Sequence, residues 1–275
     1  MAQLSPTVAN PGCFARDWLL GPAGTLALLC WGLQLASIFE EREFSEASMN
    51  AVVNLGNPRK DMAAVADSVL GEYSRDSLKI TGMEIYSKET VLLTSAAYGA
   101  GMTLDSLQEM TMRELIGPGD AILLVGSMGS LSKDIVLNDV VLPNPSCCAY
   151  YGFEGAWLEQ DRHLLNRLRE IFAELGIQVS EYRHGSSFAV FDPHTDHVTY
   201  KSSLYQDDVK GVDCGEVFVG IQFGADHGLR VGAVLYCSDS PEVHIANIGE
   251  AEFAKLASQA DRLLNEVAVR ILVSI

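Results

Sequence analysis

The stretch from Gly119 to Val141 constrains this chain more than any other. A turn at Gly117-Pro118-Gly119-Asp120 leads into an uncharged run over 121–125. An apolar run of that length between turn residues reads as a strand buried on both faces, which requires a layer of structure on either side. The strand is expected to end at Gly126-Ser127-Met128-Gly129-Ser130, where glycines let a backbone turn sharply and approach a ligand. A second short strand is expected over 136–142, with the Asn138-Asp139 turn at its start. A buried strand ending in a glycine-serine turn is where open α/β sheets place ligands.

Hydrophobic periodicity arranges the other elements around that strand. Residues 51–55 read as a first short strand, broken by Gly56-Asn57-Pro58, and a helix follows over 61–70 with Met62, Val65, Ala66 and Val69 on one face. Residues 78–86 and 90–96 read as paired hairpin strands, followed by Tyr98-Gly99-Ala100-Gly101 and a helix over 104–115. The clearest helical pattern spans 157–175, with Leu158, Leu164, Leu165, Leu168, Ile171, Phe172 and Leu175 in register and Gly176 as its stop. Residues 178–191 read as strand and loop, and 216–228 as a helix. Residues 229–236 read as a buried strand ending in Cys237-Ser238-Asp239. The last element is an amphipathic helix over 250–271, with Phe253, Leu256, Ala260, Leu263, Leu264 and Val267 inward. Strands alternating with helices predict an α/β fold, a sheet covered on both faces.

A net charge of −17 argues against nucleic acid and anionic membrane as partners of the general surface, since both are polyanions. The six cysteines show no CxxC pair or disulfide-framework spacing, which fits reduced thiols in a cytoplasmic protein. Residues 18–39 carry no charge, but Gly21-Pro22-Ala23-Gly24 interrupts them, Gln34 lies within them and only Arg16 precedes them as a positive residue. A buried helix starting near Thr25 is preferred there over a membrane span or a signal peptide. The histidines and acids of Asp192-x-His194-x-Asp196-His197 read as a solvated loop, so no metal is expected. His184 and His227 read as satisfied or exposed side chains.

Four strand ends carry polar residues that chemistry could use: Gly56-Asn57-Pro58-Arg59-Lys60, Tyr98-Gly99-Ala100-Gly101, Gly126-Ser127 and Ser238-Asp239. Glu216 joins them at the start of a helix. In this order they resemble the nucleoside phosphorylase family, which includes purine nucleoside phosphorylases and methylthioadenosine/adenosylhomocysteine nucleosidases. The resemblance runs from about Ala51 to the carboxyl end, and divides the chain into an extension, 1–48, with one apolar helix and a domain, 49–275. It implies a single-domain mixed β-sheet, partly barrel-like, under helices on both faces. Gly56, Arg59 and Lys60 are similar to the family's phosphate loop, and Tyr98 and Gly99 to a reduced form of its glycine loop. Gly126-Ser127-Met128-Gly129 looks like its Gly-Ser/Thr-x-Gly turn, with Ser127 at the phosphate. Gly215-Glu216 stands where the family has a Met-Glu pair that binds ribose hydroxyls, and Ser238-Asp239 where it has a purine-recognising Ser-Asp. Phe188 and Phe191 fall where base-stacking residues lie. The ligand so implied is a small-molecule nucleoside, with phosphate as candidate co-substrate and no cofactor, and the assembly a homo-oligomer.

The chemistry needs these residue types. Breaking a ribose–base bond builds positive charge on the sugar and negative charge on the leaving base. An acid near the purine N7, here Asp239, lowers that barrier by sharing a proton. Glu216 would hold the sugar hydroxyls for in-line attack, and the N–H groups of Gly56 and Ser127, with the Ser127 hydroxyl, would cradle a phosphate. Each has a plainer alternative: Glu216 as a first-turn acid at a helix amino end, Asp239 as an N-cap, the phenylalanine rings as core. The chain also departs from the family pattern. Leu124 stands where phosphorolytic members carry an arginine. Asn57-Pro58-Arg59-Lys60 lacks the glutamate of hydrolytic members, and Gly215 replaces the methionine before Glu216. The expected activity is cleavage of a purine-type nucleoside, phosphate-dependent ahead of hydrolytic. A non-catalytic nucleoside-binding protein on the same fold is the alternative.

Overall fold

The computed structural model describes residues 49–56, 62–95, 97–148, 157–186, 209–239 and 250–275. Within them the chain runs β1 (Asn50–Asn54), α1 (Met62–Val69), β2 (Ser74–Ser77), β3 (Glu84–Lys88), β4 (Val91–Thr94) and α2 (Gly99–Met112). It continues β5 (Ala121–Ser130), β6 (Val140–Cys148), β7 (Trp157–Leu158), α3 (Arg162–Glu174) and β8 (Val179–Ser186). It ends β9 (Gly211–Asp213), α4 (Glu216–His227), β10 (Arg230–Asp239) and α5 (Glu250–Val273). The segments 1–48 and 187–208, with the apolar stretch, Phe188, Phe191 and the histidine-rich loop, lie outside the described residues, as do Arg59 and Lys60.

The strands form one mixed sheet in the order β10-β6-β8-β9-β5-β1-β4-β3-β2, with β7 added beside β6. Because β10 also pairs with β5, the strands β5, β10, β6, β8 and β9 close into a five-stranded barrel, and β1 to β4 extend from it as a wing. The expected α/β architecture, mixed and partly barrel-like, is the one observed. β5 is the strand shared by barrel and wing, and its residues Ala121 to Val125 are 0% exposed. Cores lie on both faces of that strand. Ile122 and Leu124 join α2 and α4 residues such as Leu107 and Val217, while Leu123 and Val125 join α3 and α5 residues such as Leu168 and Leu264.

β5 changes partner along one edge. Over Ile122 to Val125 it pairs in parallel with Ala51 to Asn54 of β1, but at Gly129 and Ser130 it pairs antiparallel with Val212 and Gly211 of β9. Its other edge stays on β10 throughout. The sheet therefore forks at Gly126, Ser127 and Met128. The carboxyl ends of four parallel neighbours, β4, β1, β5 and β10, open on the same side of this fork.

Several expectations change for physical reasons. Residues 126–130 are the second half of a ten-residue strand, not a turn, because β9 and β10 supply ladder partners on both edges. Gly126 is needed for close approach instead: a Cβ there would stand 2.7 Å from Leu55 Cβ and 2.9 Å from its carbonyl oxygen. β6 starts after the Asn138-Asp139 turn and runs on to Cys148, through Pro143 and Pro145, with a register shift between Pro143 and Ser146 that accommodates the missing donors. Trp157-Leu158 pairs with β6, so the helix read from 157 begins at Arg162, where the Asp161 carboxylate accepts the Leu164 N–H at 2.9 Å. Cys237-Ser238-Asp239 continues β10. The first hairpin strand is shorter than expected, and β2 and β9 had no legible pattern in the sequence.

Gly126→Ala is expected to destabilise the domain by about 1–3 kcal/mol, since the facing atoms are the Cβ and backbone of Leu55, which cannot swing away. Urea unfolding of the two proteins side by side measures it.

Candidate active site

Two helices point their amino ends at each other across the fork. Gly99 opens α2 with φ 79°, and Gly215 precedes α4 with φ 96°, both left-handed values that favour glycine. Tyr98-Gly99-Ala100-Gly101 is thus the start of a helix, which begins five residues before its expected position. Gly215 is present for its backbone conformation, which a methionine would adopt only with strain. The two amino ends are tied together: Ala100 donates its N–H to the Cys214 carbonyl at 3.2 Å, and Gly99 donates to Glu216 Oε1 at 2.8 Å.

Glu216 is buried, and its second oxygen, Oε2, has no hydrogen-bond partner among the described residues. Burial and the nearby Asp213 charge push its carboxyl up to about 7, against the opposing pull of the N–H groups of Glu216 itself, Gly99 and Cys214. The cap of α4 is made by Asp213, which accepts the N–H of Gly215 at 3.2 Å and of Val217 at 2.7 Å. The first-turn acid therefore reaches across to the other helix, and the acid before the turn does the capping.

Asp213 is itself buried, with Oδ1 3.4 Å from His184 Nε2. Burial pushes its carboxyl up, but the His184 ring, the Ser186 hydroxyl and the Val217 N–H outweigh that and hold it below the usual aspartate range. Ser186 Oγ in turn accepts the Phe218 N–H at 3.2 Å. His184, read from sequence as satisfied or exposed, is buried in the barrel wall; its Nε2 meets Asp213 Oδ1 at ion-pair distance, and neither ring nitrogen has a hydrogen-bond partner among the described residues. His227 instead stacks on Phe223 at the far end of α4, with Nδ1 2.9 Å from the Phe223 carbonyl oxygen.

The other expected residues that the structure describes, Gly56, Tyr98, Ser127 and Ser238, border the fork. Ser127 is hydrogen-bonded to the buried Tyr236 phenol, which burial and the Asp261 charge push well above its ordinary range. A Cβ on Gly56 would stand 3.3 Å from Ser127 Oγ, so the two positions adjoin. The Gly56 N–H, expected as a phosphate donor, is donated to the Ala97 carbonyl at 2.7 Å. Leu124 is fully buried, against Gly220 of α4, and offers nothing to an anion. Ser238 donates its hydroxyl to the Met128 carbonyl at 3.1 Å. The Asp239 backbone pairs with Gly129, whose other neighbour is Val212 of β9. The two acidic segments thus flank β5, at about 10 Å between outer strands from two interstrand spacings; the Asp239 side chain lies outside the described set. Tyr98 is half exposed and is held above the ordinary phenol range first by Cys214, then by partial burial.

This is the nucleoside phosphorylase fold. The structure is similar to a purine nucleoside phosphorylase from Toxoplasma gondii, 13% identical over 84% of this chain and 94% of that one, with a TM-score of 0.63. A uridine phosphorylase from Vibrio fischeri is 14% identical over 84% and 93%, with a TM-score of 0.67. A 5′-methylthioadenosine/S-adenosyl homocysteine nucleosidase from Campylobacter jejuni is 11% identical over 83% and 100%, with a TM-score of 0.64. No family model matches the sequence, and no curated protein does. The sequence singled out Glu216 but not its buried neighbours Asp213, His184 and Ser186. The Asp-x-x-Glu spacing from Asp213 to Glu216, just before an apolar run, is a helix-start signature that could have found the first. Nothing local could have found the other two, which reach Asp213 only through strand pairing.

The raised Glu216 carboxyl has a stability consequence. A carboxyl raised from about 4.5 to about 7 on folding contributes its full stability below 4.5 and loses it as pH rises through 7. Glu216→Gln should therefore match the parent at pH 4 and exceed it at pH 8, by roughly 2–3 kcal/mol. Denaturant midpoints at the two pH values test this.

Proposed function

We propose that this protein cleaves the N-glycosidic bond of a nucleoside, with purine nucleosides as the first candidates. The observation that carries the reading is Glu216: a buried carboxyl at the mouth of the fork, one oxygen fixed by Gly99 and the other without a partner among the described residues. That oxygen suits a ribose hydroxyl, and once ionised its charge stabilises the positive sugar that forms as the bond breaks. Asp239, whose backbone borders the same strand, is proposed to share a proton with the leaving base, with Ser238 beside it. Phe188 and Phe191 would stack on the base, and Tyr98 and Gly99 border the sugar.

Two nucleophiles suit such a site. Phosphate would rest on Ser127 and on Arg59 and Lys60, because neither the buried Leu124 nor the engaged Gly56 N–H can meet it. Water requires none of these cations, and the burial of Leu124 is the observation that favours hydrolysis as the second reading. No resident cofactor enters either scheme, and we propose that the protein works as a homo-oligomer in the cytoplasm.

The test is release of free base from adenosine, inosine and uridine, with and without phosphate. Base released only with phosphate identifies phosphorolysis, and base released equally in both identifies hydrolysis. Binding without any release identifies a nucleoside-binding protein. Where turnover is found, Glu216→Gln should lower kcat/KM by about 100-fold, and Asp239→Ala should reduce kcat far more than binding. The rate should climb with pH through about 7 as Glu216 ionises, and that limb should vanish in Glu216→Gln.

A further inference from the structure

We propose that His184 and Asp213 form a positioning pair for Glu216: Asp213, held by His184, pins the first turn of α4 so that one Glu216 oxygen stays on Gly99 and the other faces the ligand. The role assigned to Glu216 rests on the nucleoside reading above, but the pair itself is defined by geometry alone.

Both members are buried in the barrel wall on neighbouring strands, His184 in β8 and Asp213 at the end of β9. Asp213 uses both carboxylate oxygens on α4, Oδ1 for the Gly215 N–H and Oδ2 for the Val217 N–H. These two donors bracket Glu216, so its backbone is clamped on both sides. His184 faces the same Oδ1 from behind at 3.4 Å, and Ser186 from the same strand binds the next N–H of the turn, that of Phe218. Helix, acid and histidine therefore form one chain of contacts that ends at Glu216 Oε2, which has no partner among the described residues. A surface cap of α4 would need neither the histidine nor the burial.

The pair also affects protonation. The groups that face Glu216 are Asp213 from β9, Cys214 from the connection to α4, and Tyr98 and Gly99 from the start of α2, with His184 behind Asp213. Of these, Asp213 supplies the charge that opposes ionisation of Glu216. Two acids three residues apart are thereby split, the inner one kept ionised and the outer one able to hold a proton near neutrality.

Asp213→Asn and Asp213→Ser in the full chain test the pair, because each offers one side-chain oxygen in place of two and so breaks the clamp on the Gly215 and Val217 N–H groups as well as removing the charge. Carbon NMR of the Glu216 carboxyl, assigned with Glu216→Gln, should show a midpoint near 7 in the parent. In both variants it should fall by about one pH unit or more. The second readout is the preference for a ribonucleoside over its 2′-deoxy analogue, measured by calorimetry with adenosine and inosine. That preference should drop about tenfold in the variants, as expected when a sugar-binding group is left unaimed. An unchanged Glu216 midpoint in folded variants overturns the proposal. So does an ordinary carboxylate midpoint in the parent, which decides the matter even if neither variant folds. Failure of the parent to bind any nucleoside would sink the functional reading instead, while the titration would still judge the pair.

Discussion

The structure depends on how β5 is paired. One strand has to satisfy β10 along a whole edge and divide the other between β1 and β9. A buried strand cannot leave its N–H and C=O groups without partners, so the exchange from a parallel to an antiparallel neighbour must be completed within a few residues. Those residues are Gly126, Ser127 and Met128. The gap between the departing β1 and the arriving β9 is where backbone is no longer occupied by ladder bonds. It is also the point to which the connections to α2 and α4 both return.

What fills the gap follows from two helix amino ends brought face to face. Each carries partial positive charge and N–H groups that lie outside its own helical ladder, which would ordinarily favour an ionised carboxylate. Here burial and the charge of Asp213 win over those donors, and Glu216 keeps its proton up to about 7. Asp213, three residues earlier and just as enclosed, goes the other way because His184, Ser186 and the Val217 N–H all favour its ionised form. Opposite behaviour in two neighbouring acids comes from their partners, since both are buried.

A second polar layer lies beneath Ser127. Asn54 and Asn265 exchange side-chain hydrogen bonds at 3.0 and 2.9 Å, and Asn54 also reaches the Thr94 carbonyl at 3.1 Å. These fully buried groups tie β1, β4 and α5 together directly behind the strand ends that border the fork. Polar groups in a core are tolerated only when mutually satisfied, and these are. They hold the carboxyl ends of β1 and β4 in place where Gly56 and Tyr98 leave the sheet.

Local pattern was enough for much of this. The uncharged run of β5, the apolar stripes of α3 and α5, and the glycine stop of α3 at Gly176 follow from side-chain chemistry acting within a few residues. Sequence alone therefore determined the α/β class, and the order of its polar strand ends marked Glu216, Ser127 and Ser238-Asp239 as candidates. It misjudged Gly126 and Gly99, because a glycine that admits a neighbouring backbone and one that starts a helix look the same as one that makes a loop. Only the tertiary structure closed the barrel, committed the Gly56 N–H to Ala97, buried Leu124 against α4 and set His184 behind Asp213. Each of these is a contact between segments far apart in the chain, fixed by which strands pair, and pairing depends on the whole sheet.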